Sequence, residues 1–343
     1  MWRSCLRKLR WNDAITYLRR FWVKRTFDKV AKGILNTAPL DVQGLSPLFL
    51  SMVCHRDVTA YLLAIKSLYF RFKQGRVVII NDGSLSAEDL ETLRLHIPGL
   101  EVVDIAAIDT GTCPRGGCWE RLIKIIELSS EEYVLQVDAD TLVSDAIPEV
   151  VDCWRANRSF LLGTDVGQEV APALAPAQAA QGWIETAKSN GGRITVCMLA
   201  EAALDSLPDA KKHRYVHASA GFAGFAQGAF RVRDLEIFSD LMRDRLGSRW
   251  DEWGTEQIGS NYILANAPGA LVLPFSRYAC FEPHLPSGER PFLHFIGTYR
   301  FDKGLYRRQA QAFLKMYARE STASPRDNAI VLRDESSSGI STG

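Results

Sequence analysis

Short apolar runs alternating with amphipathic stretches from Gly44 onward predict an α/β protein, with a parallel sheet covered by helices on both faces. Two further observations shape that expectation: Asp138-Ala139-Asp140 stands directly behind the apolar run Tyr133–Val137, and the N-terminal arm is far more basic than the rest of the chain. At 343 residues and 47% hydrophobic content the chain can build a sizeable core, which excludes global disorder.

The expected elements follow in order. Pro47–Val53 reads as a strand, and Thr59–Phe72 as a helix whose apolar face carries Tyr61, Leu62, Ile65, Leu68 and Tyr69. Arg76–Asn81 is a second strand, closed by the turn signal Asp82-Gly83-Ser84. Ser86 with Asp89 three residues later makes a capping box that opens a helix over Ala87–His96. Leu100–Ile105 and Tyr133–Val137 are further strands, with a helix over Trp119–Leu128 between them. Pro172–Gly182 is rich in Ala and Pro and reads as a surface excursion or mobile loop. Beyond it lie a Gly-punctuated apolar run at His217–Phe230, helices near Arg233–Arg245, Glu252–Ala265 and Lys303–Ala318, and a strand at Ala270–Phe275. Residues 1–40 are expected as an amphipathic arm, 41–320 as the folded domain and 321–343, rich in Ser, as a disordered tail.

Charge excludes some functions and suggests others. Overall 41 Lys and Arg balance 40 Asp and Glu, so nothing marks a nucleic-acid binder. Residues 1–35 nevertheless carry a net +8, leaving −7 for the remainder. Trp2, Leu6, Leu9, Ile15, Leu18 and Trp22 recur at helical spacing among these cations, a composition that suits an anionic membrane surface or a basic helix packed on its own domain. No run approaches the roughly 18 to 20 apolar residues of a membrane span, and Arg and Lys interrupt any signal-like block in the first 25 residues. The expected location is therefore cytoplasmic, and peripheral on the inner face of the cell membrane in the case that the arm binds lipid and does not pack on the domain. The seven scattered cysteines are expected as free thiols, and Cys113 and Cys118 lack a second pair or a nearby His to complete a zinc set. Neither GxGxxG nor GxxxxGK[ST] occurs, which removes the main support for dinucleotide or P-loop chemistry.

Asp138 and Asp140 are the main candidates for chemistry, set against a plain strand-end turn with solvated carboxylates. At a period of two, both carboxylates would leave the strand end on one side and could hold a divalent cation whose shell is completed by substrate phosphates. His294, in His294-Phe295-Ile296-Gly297-Thr298-Tyr299-Arg300, can add a nitrogen ligand that favours Mn²⁺ over Mg²⁺, while Gly297 allows close backbone approach and Arg300 can fork onto phosphate.

From Leu48 to about Ala318 the chain resembles the metal-dependent GT-A glycosyltransferases, a Rossmann-like nucleotide-diphospho-sugar transferase fold with a mixed sheet flanked by helices. The likeness is nearest to the retaining group that includes glycogenin and the bacterial lipopolysaccharide galactosyltransferases. It rests on Met52–Leu68, which holds Cys54 in the nucleotide-contacting loop; on Arg121 ahead of YVLQVDADTLV; on Ser219-Ala220-Gly221; on Glu256-Gln257; and on HFIGTYR. Ser219 stands where that family commonly has Asn, Glu256 where it has Asp and Arg300 where it has Lys. Asp82 and Ser84 are similar to the inverting branch, where such an Asp contacts base or ribose.

The resemblance implies a nucleotide-sugar donor, UDP-linked by preference, held by Cys54, Asp82, Arg121, Asp138, Ala139, Asp140, Gly297 and Arg300, with Mn²⁺ or Mg²⁺ on Asp138, Asp140 and His294. It implies a glycan or glycolipid acceptor in cell-surface polysaccharide synthesis, near Ser219, Ala220 and Gly221, and places Gln257 or Glu256 close to the anomeric carbon. From the residues themselves, Asp165 behind SFLLGT either faces the sugar or ends a strand, and Trp250 and Trp253 at three-residue spacing either stack on an acceptor sugar or lie in the core. In an inverting enzyme Glu256 would be the first candidate for the base. Two alternatives remain open: a sugar-phosphate nucleotidyltransferase, against which CHRDVTAY lacks the glycine of the usual loop, and a non-catalytic carbohydrate or nucleotide-sugar binder with a degenerate site.

Overall fold

A computed structural model describes residues 21–284 and 290–322. The arm's first twenty residues and the tail from 323 lie outside it.

The expected alternation forms a seven-stranded mixed sheet. In chain order the elements are helix α1 (21–31), β1 (Leu48–Val53), α2 (Val58–Phe72), β2 (Arg76–Asn81), α3 (Ala87–His96), β3 (Glu101–Asp104), α4 (Trp119–Ser129), β4 (Val134–Val137) and β5 (Thr141–Val143). They continue with α5 (Pro148–Arg155), β6 (Phe160–Gly163), β7 (Ala171–Pro172), α6 (Leu174–Ser189), α7 (Val196–Ala202), β8 (Arg214–Tyr215) and β9 (Ala218–Phe225). The chain closes with α8 (Val232–Leu246), α9 (Thr255–Ala265), β10 (Leu271–Val272), β11 (Tyr278–Cys280), β12 (Phe292–His294) and α10 (Leu305–Thr322).

Strand order in the main sheet is β10-β6-β9-β4-β1-β2-β3. β1 to β4 run parallel, while β9 is antiparallel to both of its neighbours, β4 and β6. Strand alternation divides the apolar side chains between two layers, as the pleat requires. Phe49, Val77, Ile79 and Leu135 join one core beneath α2, α5 and α10. Leu48, Leu50, Val78, Ile80 and Val134 join the other, beneath α4, α6, α8 and α9.

Two expectations change. Pro172–Gly182 is no loop: Leu174–Ser189 is a sixteen-residue helix burying Ala177, Ala180 and Ile184. Pro176 falls in its first turn, where a missing N–H costs nothing, and alanine is the strongest helix former. In the arm, Phe27, Ala31 and Ile34 pack into the domain core while Trp22, assigned to the arm's apolar face, is 61% exposed. Buried Lys66 fastens the following segment, donating to Thr37 Oγ1 at 2.9 Å and to the Ala38 carbonyl at 2.6 Å. The capping box forms as expected, with Asp89 N donating to Ser86 Oγ and Ser86 N to Asp89 Oδ2. Among the described residues no helix is long and apolar enough to cross a membrane.

Candidate functional site

The site forms where β4 ends. Asp138-Ala139-Asp140 makes a tight turn into β5, with Thr141 N and Thr141 Oγ1 both donating to the Asp138 carbonyl, at 3.3 and 2.9 Å. The two carboxylates thus converge through a turn, not through the period-two geometry of a continuing strand. A small sheet in the order β11-β12-β5 delivers the third group. The β5–β12 register sets His294 opposite Thr141, and Phe295 N donates to the Asp140 carbonyl at 2.8 Å. Residues far apart in sequence therefore meet through backbone pairing.

Among the described residues Asp138, Asp140 and His294 are the one group able to place ligand atoms together, all within 4.8 Å of one another. His294 Nε2 lies 3.1 Å from Asp140 Oδ1 and 3.6 Å from Asp138 Oδ2. On the far side of the ring, Nδ1 is 3.2 Å from the Ser219 hydroxyl. If Nδ1 carries the proton and donates it to Ser219, the Nε2 lone pair faces the carboxylates, which is the tautomer a metal ligand needs. Two carboxylate oxygens and one imidazole nitrogen are a donor set that fits Mn²⁺ or a similar divalent ion. Gly221 supplies the space, since a Cβ there would overlap the His294 ring. Gly221 is held in place because its carbonyl accepts from Asp138 N at 2.9 Å.

Two arginines back the carboxylates. Arg121, buried on α4, ion-pairs Asp138 and reaches Glu256 Oε1 at 3.2 Å. It is carried there by Trp119, whose Nε1 donates to Thr255 Oγ1 at 3.0 Å and so locks α4 to the start of α9. Arg300 pairs with Asp140 through one nitrogen and with Asp57 Oδ1 at 3.2 Å through the other. Burial alone would raise Asp140, but the neighbouring His294 and Arg300 charges outweigh it and hold its carboxyl below the usual range. Burial would likewise lower His294, and the Asp140 carboxylate reverses that, holding the imidazole well above its ordinary value. Glu256 is pushed up to about 7 because burial outweighs the help it receives from Arg121.

The remaining sequence-expected residues fall into several places. The loops after β1 and β2 meet where His55 N donates to Ser84 Oγ at 2.9 Å, and Ser84 in turn caps Asp82 Oδ1 at 2.6 Å. Cys54 lies in the first of these loops with its thiol 3.4 Å from Asp57 Oδ2. Ala139 is the middle residue of the acidic turn, and Gly297 follows β12 at a φ of 47°, a left-handed value that suits glycine. On β9, the Ala220 carbonyl accepts from Gln136 Nε2, and Ala220 N donates to Gln257 Oε1 at 3.4 Å. Asp165 is exposed on the loop after β6. Trp250 is fully buried against Trp119 and Phe238, a core role, whereas Trp253 is 82% exposed just ahead of α9.

Sequence reasoning passed over Asp57 and Gln136. Of these Asp57 was open to discovery, since it closes the turn His55-Arg56-Asp57 at the C-terminal end of β1, where ligands gather in open α/β sheets.

No protein-family model matches the sequence, and no curated protein matches it. Solved structures do. The galactosyltransferase LgtC, determined with donor and acceptor sugar analogs, is 11% identical with a TM-score of 0.48, over 82% of this chain and 98% of that one. The bifunctional glycosyltransferase WbbM is 14% identical with a TM-score of 0.48, over 84% of this chain and 51% of that one. GlyE of Streptococcus pneumoniae, also a glycosyltransferase, is 12% identical with a TM-score of 0.43, over 82% of this chain and 65% of that one.

Proposed function

We propose that the protein is a metal-dependent glycosyltransferase that moves a sugar from a nucleotide-diphosphate donor to a glycan or glycolipid acceptor. The observation that carries this reading is the convergence of Asp138, Asp140 and His294 at the C-terminal mouth of the parallel strands, with Arg121 and Arg300 behind them. Asp138, Asp140 and His294 would hold a divalent ion. When bound, that ion supplies Lewis-acid charge for a diphosphate leaving group.

The chain's own residues would divide the other tasks. Arg121 fixes the Asp138 carboxylate and keeps Glu256 in place beside it. Arg300, forked between Asp57 and Asp140, joins the loop after β1 to the acidic turn, so that nucleotide and diphosphate subsites are set by one side chain. The joined loops at Cys54 and Asp82 offer backbone and side-chain polar groups to the nucleotide, for which UDP is the first choice to test. With a carboxyl near 7, Glu256 can hold or release a proton close to neutral pH, which suits exchange with a reacting hydroxyl. Gln257, half-buried against Ala220 N, would orient the sugar.

The test is nucleotide release from a panel of UDP- and GDP-sugars with Mn²⁺, Mg²⁺ or EDTA, beside the double variant Asp138→Ala/Asp140→Ala. Metal-dependent release of one nucleoside diphosphate, lost in the variant, is the expected result. Release that is equal in EDTA, or equal in the variant, would overturn the proposal.

A further inference from the structure

A second group of titratable side chains gathers just ahead of β9 and takes no part in the metal triad. Glu201, near the end of α7, is only 1% exposed, and a carboxylate that deep requires partners. Its Oε1 accepts from the Tyr215 hydroxyl at 2.9 Å and meets His217 Nδ1 at 2.7 Å. Trp183 of α6 sets its ring edge-on to the same imidazole, with centroids 5.2 Å apart and planes at 69°. The loop after β6 closes against the His217 backbone, where Thr164 Oγ1 donates to the His217 carbonyl at 2.8 Å and a Cβ at Gly167 would strike that carbonyl.

Structural demand explains only half of this arrangement. The carboxylate is sealed, yet the His217 side chain remains 32% exposed. With Nδ1–H committed to Glu201, Nε2 is the ring's remaining hydrogen-bonding atom, and no bond to it forms among the described residues. His217 directly precedes β9 and stands two residues before Ser219, whose hydroxyl touches His294, a backbone separation of roughly 7 Å in extended chain. An oriented imidazole beside an indole ring offers a hydrogen-bonding nitrogen and an apolar wall together, which matches a sugar's hydroxyls and C–H groups. Glu201 and the exposed Asp165, whose charge also acts on His217, disfavour an anionic ligand.

We propose that His217, positioned by Glu201 and walled by Trp183, is the acceptor subsite of the transfer reaction, with Nε2 hydrogen-bonding a hydroxyl of a neutral sugar. This rests on the transferase reading above. Glu201 acts through His217 and is a positioning residue.

The experiment measures nucleotide release from the active donor with Mn²⁺ while methyl glycosides of glucose, galactose and mannose are titrated in as acceptor probes. At least one glycoside should accelerate release by the wild-type protein. In His217→Ala and Glu201→Gln the concentration for half-maximal acceleration should rise about tenfold. In Glu201→Gln the plateau rate should change far less than that, and His217→Gln should recover part of the loss. UDP affinity with Mn²⁺ and the melting temperature of each variant serve as folding controls. Wild-type acceptor response in both variants would overturn the inference and leave the transferase reading standing, as would donor release that no glycoside accelerates. Absence of metal-dependent release from any donor would overturn the transferase reading itself, and the acceptor assignment with it.

Discussion

His294 is held by groups that leave one ring nitrogen for a ligand: Ser219 at Nδ1, Gly221 against the ring face, and the two carboxylates ahead of Nε2. Gly221 is therefore required for close approach and not for backbone strain. Gly221→Ala should push the ring off its position and weaken Mn²⁺ binding by roughly 10–100-fold, readable by calorimetry. Wild-type affinity in that variant would contradict the geometry. Glu256 makes a prediction of the opposite character. Its folded pKa of about 7 exceeds the ordinary 4.5, so its contribution to stability is whole below about 4.5 and is lost as pH rises through about 7. Across that window the wild type should lose on the order of 3 kcal/mol relative to Glu256→Gln. Urea denaturation of both proteins at pH 5 and pH 7.5 measures the difference, and parallel pH dependence would refute it. Asp138, Asp140 and His294 were legible in the sequence because their order matched a resemblance. Ser219 was legible as a position but not as a role, since its contact with His294 depends on how β9 and β12 are brought together. Glu201 and His217 carried no signal, because sixteen residues and a helix end separate two residues of common type.

At the scale of elements, local patterns were read well and distant pairings were not. The strands and helices from Leu48 to Val137 follow from periodicity and turn residues within each segment. The small sheet of β11, β12 and β5 was not legible, because its short strands pair across some 150 residues and their hydrophobic pattern is too brief to read. Helix α6 was misread because Ala/Pro-rich composition was taken as the mark of a loop, although Pro176 falls in the first turn and alanine favours helix. The capping box at α3 has a further consequence, since Asp89 Oδ2 also meets His55 Nδ1 at 2.6 Å in the loop after β1. Ser86→Ala should cost about 1 kcal/mol of unfolding free energy, measured by denaturant titration. A change within experimental error would mean that His55 and the helix body hold this corner without the cap.

At the scale of the whole molecule, α1 brings exposed aromatics and cations together on one described face. Phe21 and Trp22 are exposed there, beside Arg25, Lys29 and Lys32, and a broad cleft runs from these residues to His55 and Arg56 in the loop after β1. We propose that this face meets an anionic membrane, which would bring the candidate site close to lipid-linked acceptors. Sedimentation with phosphatidylserine vesicles should capture the protein at low salt and release it as salt rises, and the variant Trp22→Ala/Arg25→Glu/Lys29→Glu/Lys32→Glu should not bind. Equal capture of the variant, or capture by neutral vesicles alone, would refute this. The packing of Phe27, Ala31 and Ile34 in the core shows how one segment can serve both the fold and a surface. The most direct measurement of the central claim is pulsed electron paramagnetic resonance of Mn²⁺ added to the full-length protein. One bound ion per chain with nitrogen hyperfine coupling, lost in His294→Gln and with binding abolished in Asp138→Ala/Asp140→Ala, is the predicted result. Mn²⁺ that shows no nitrogen coupling, or that binds both variants as it binds the wild type, would contradict the account.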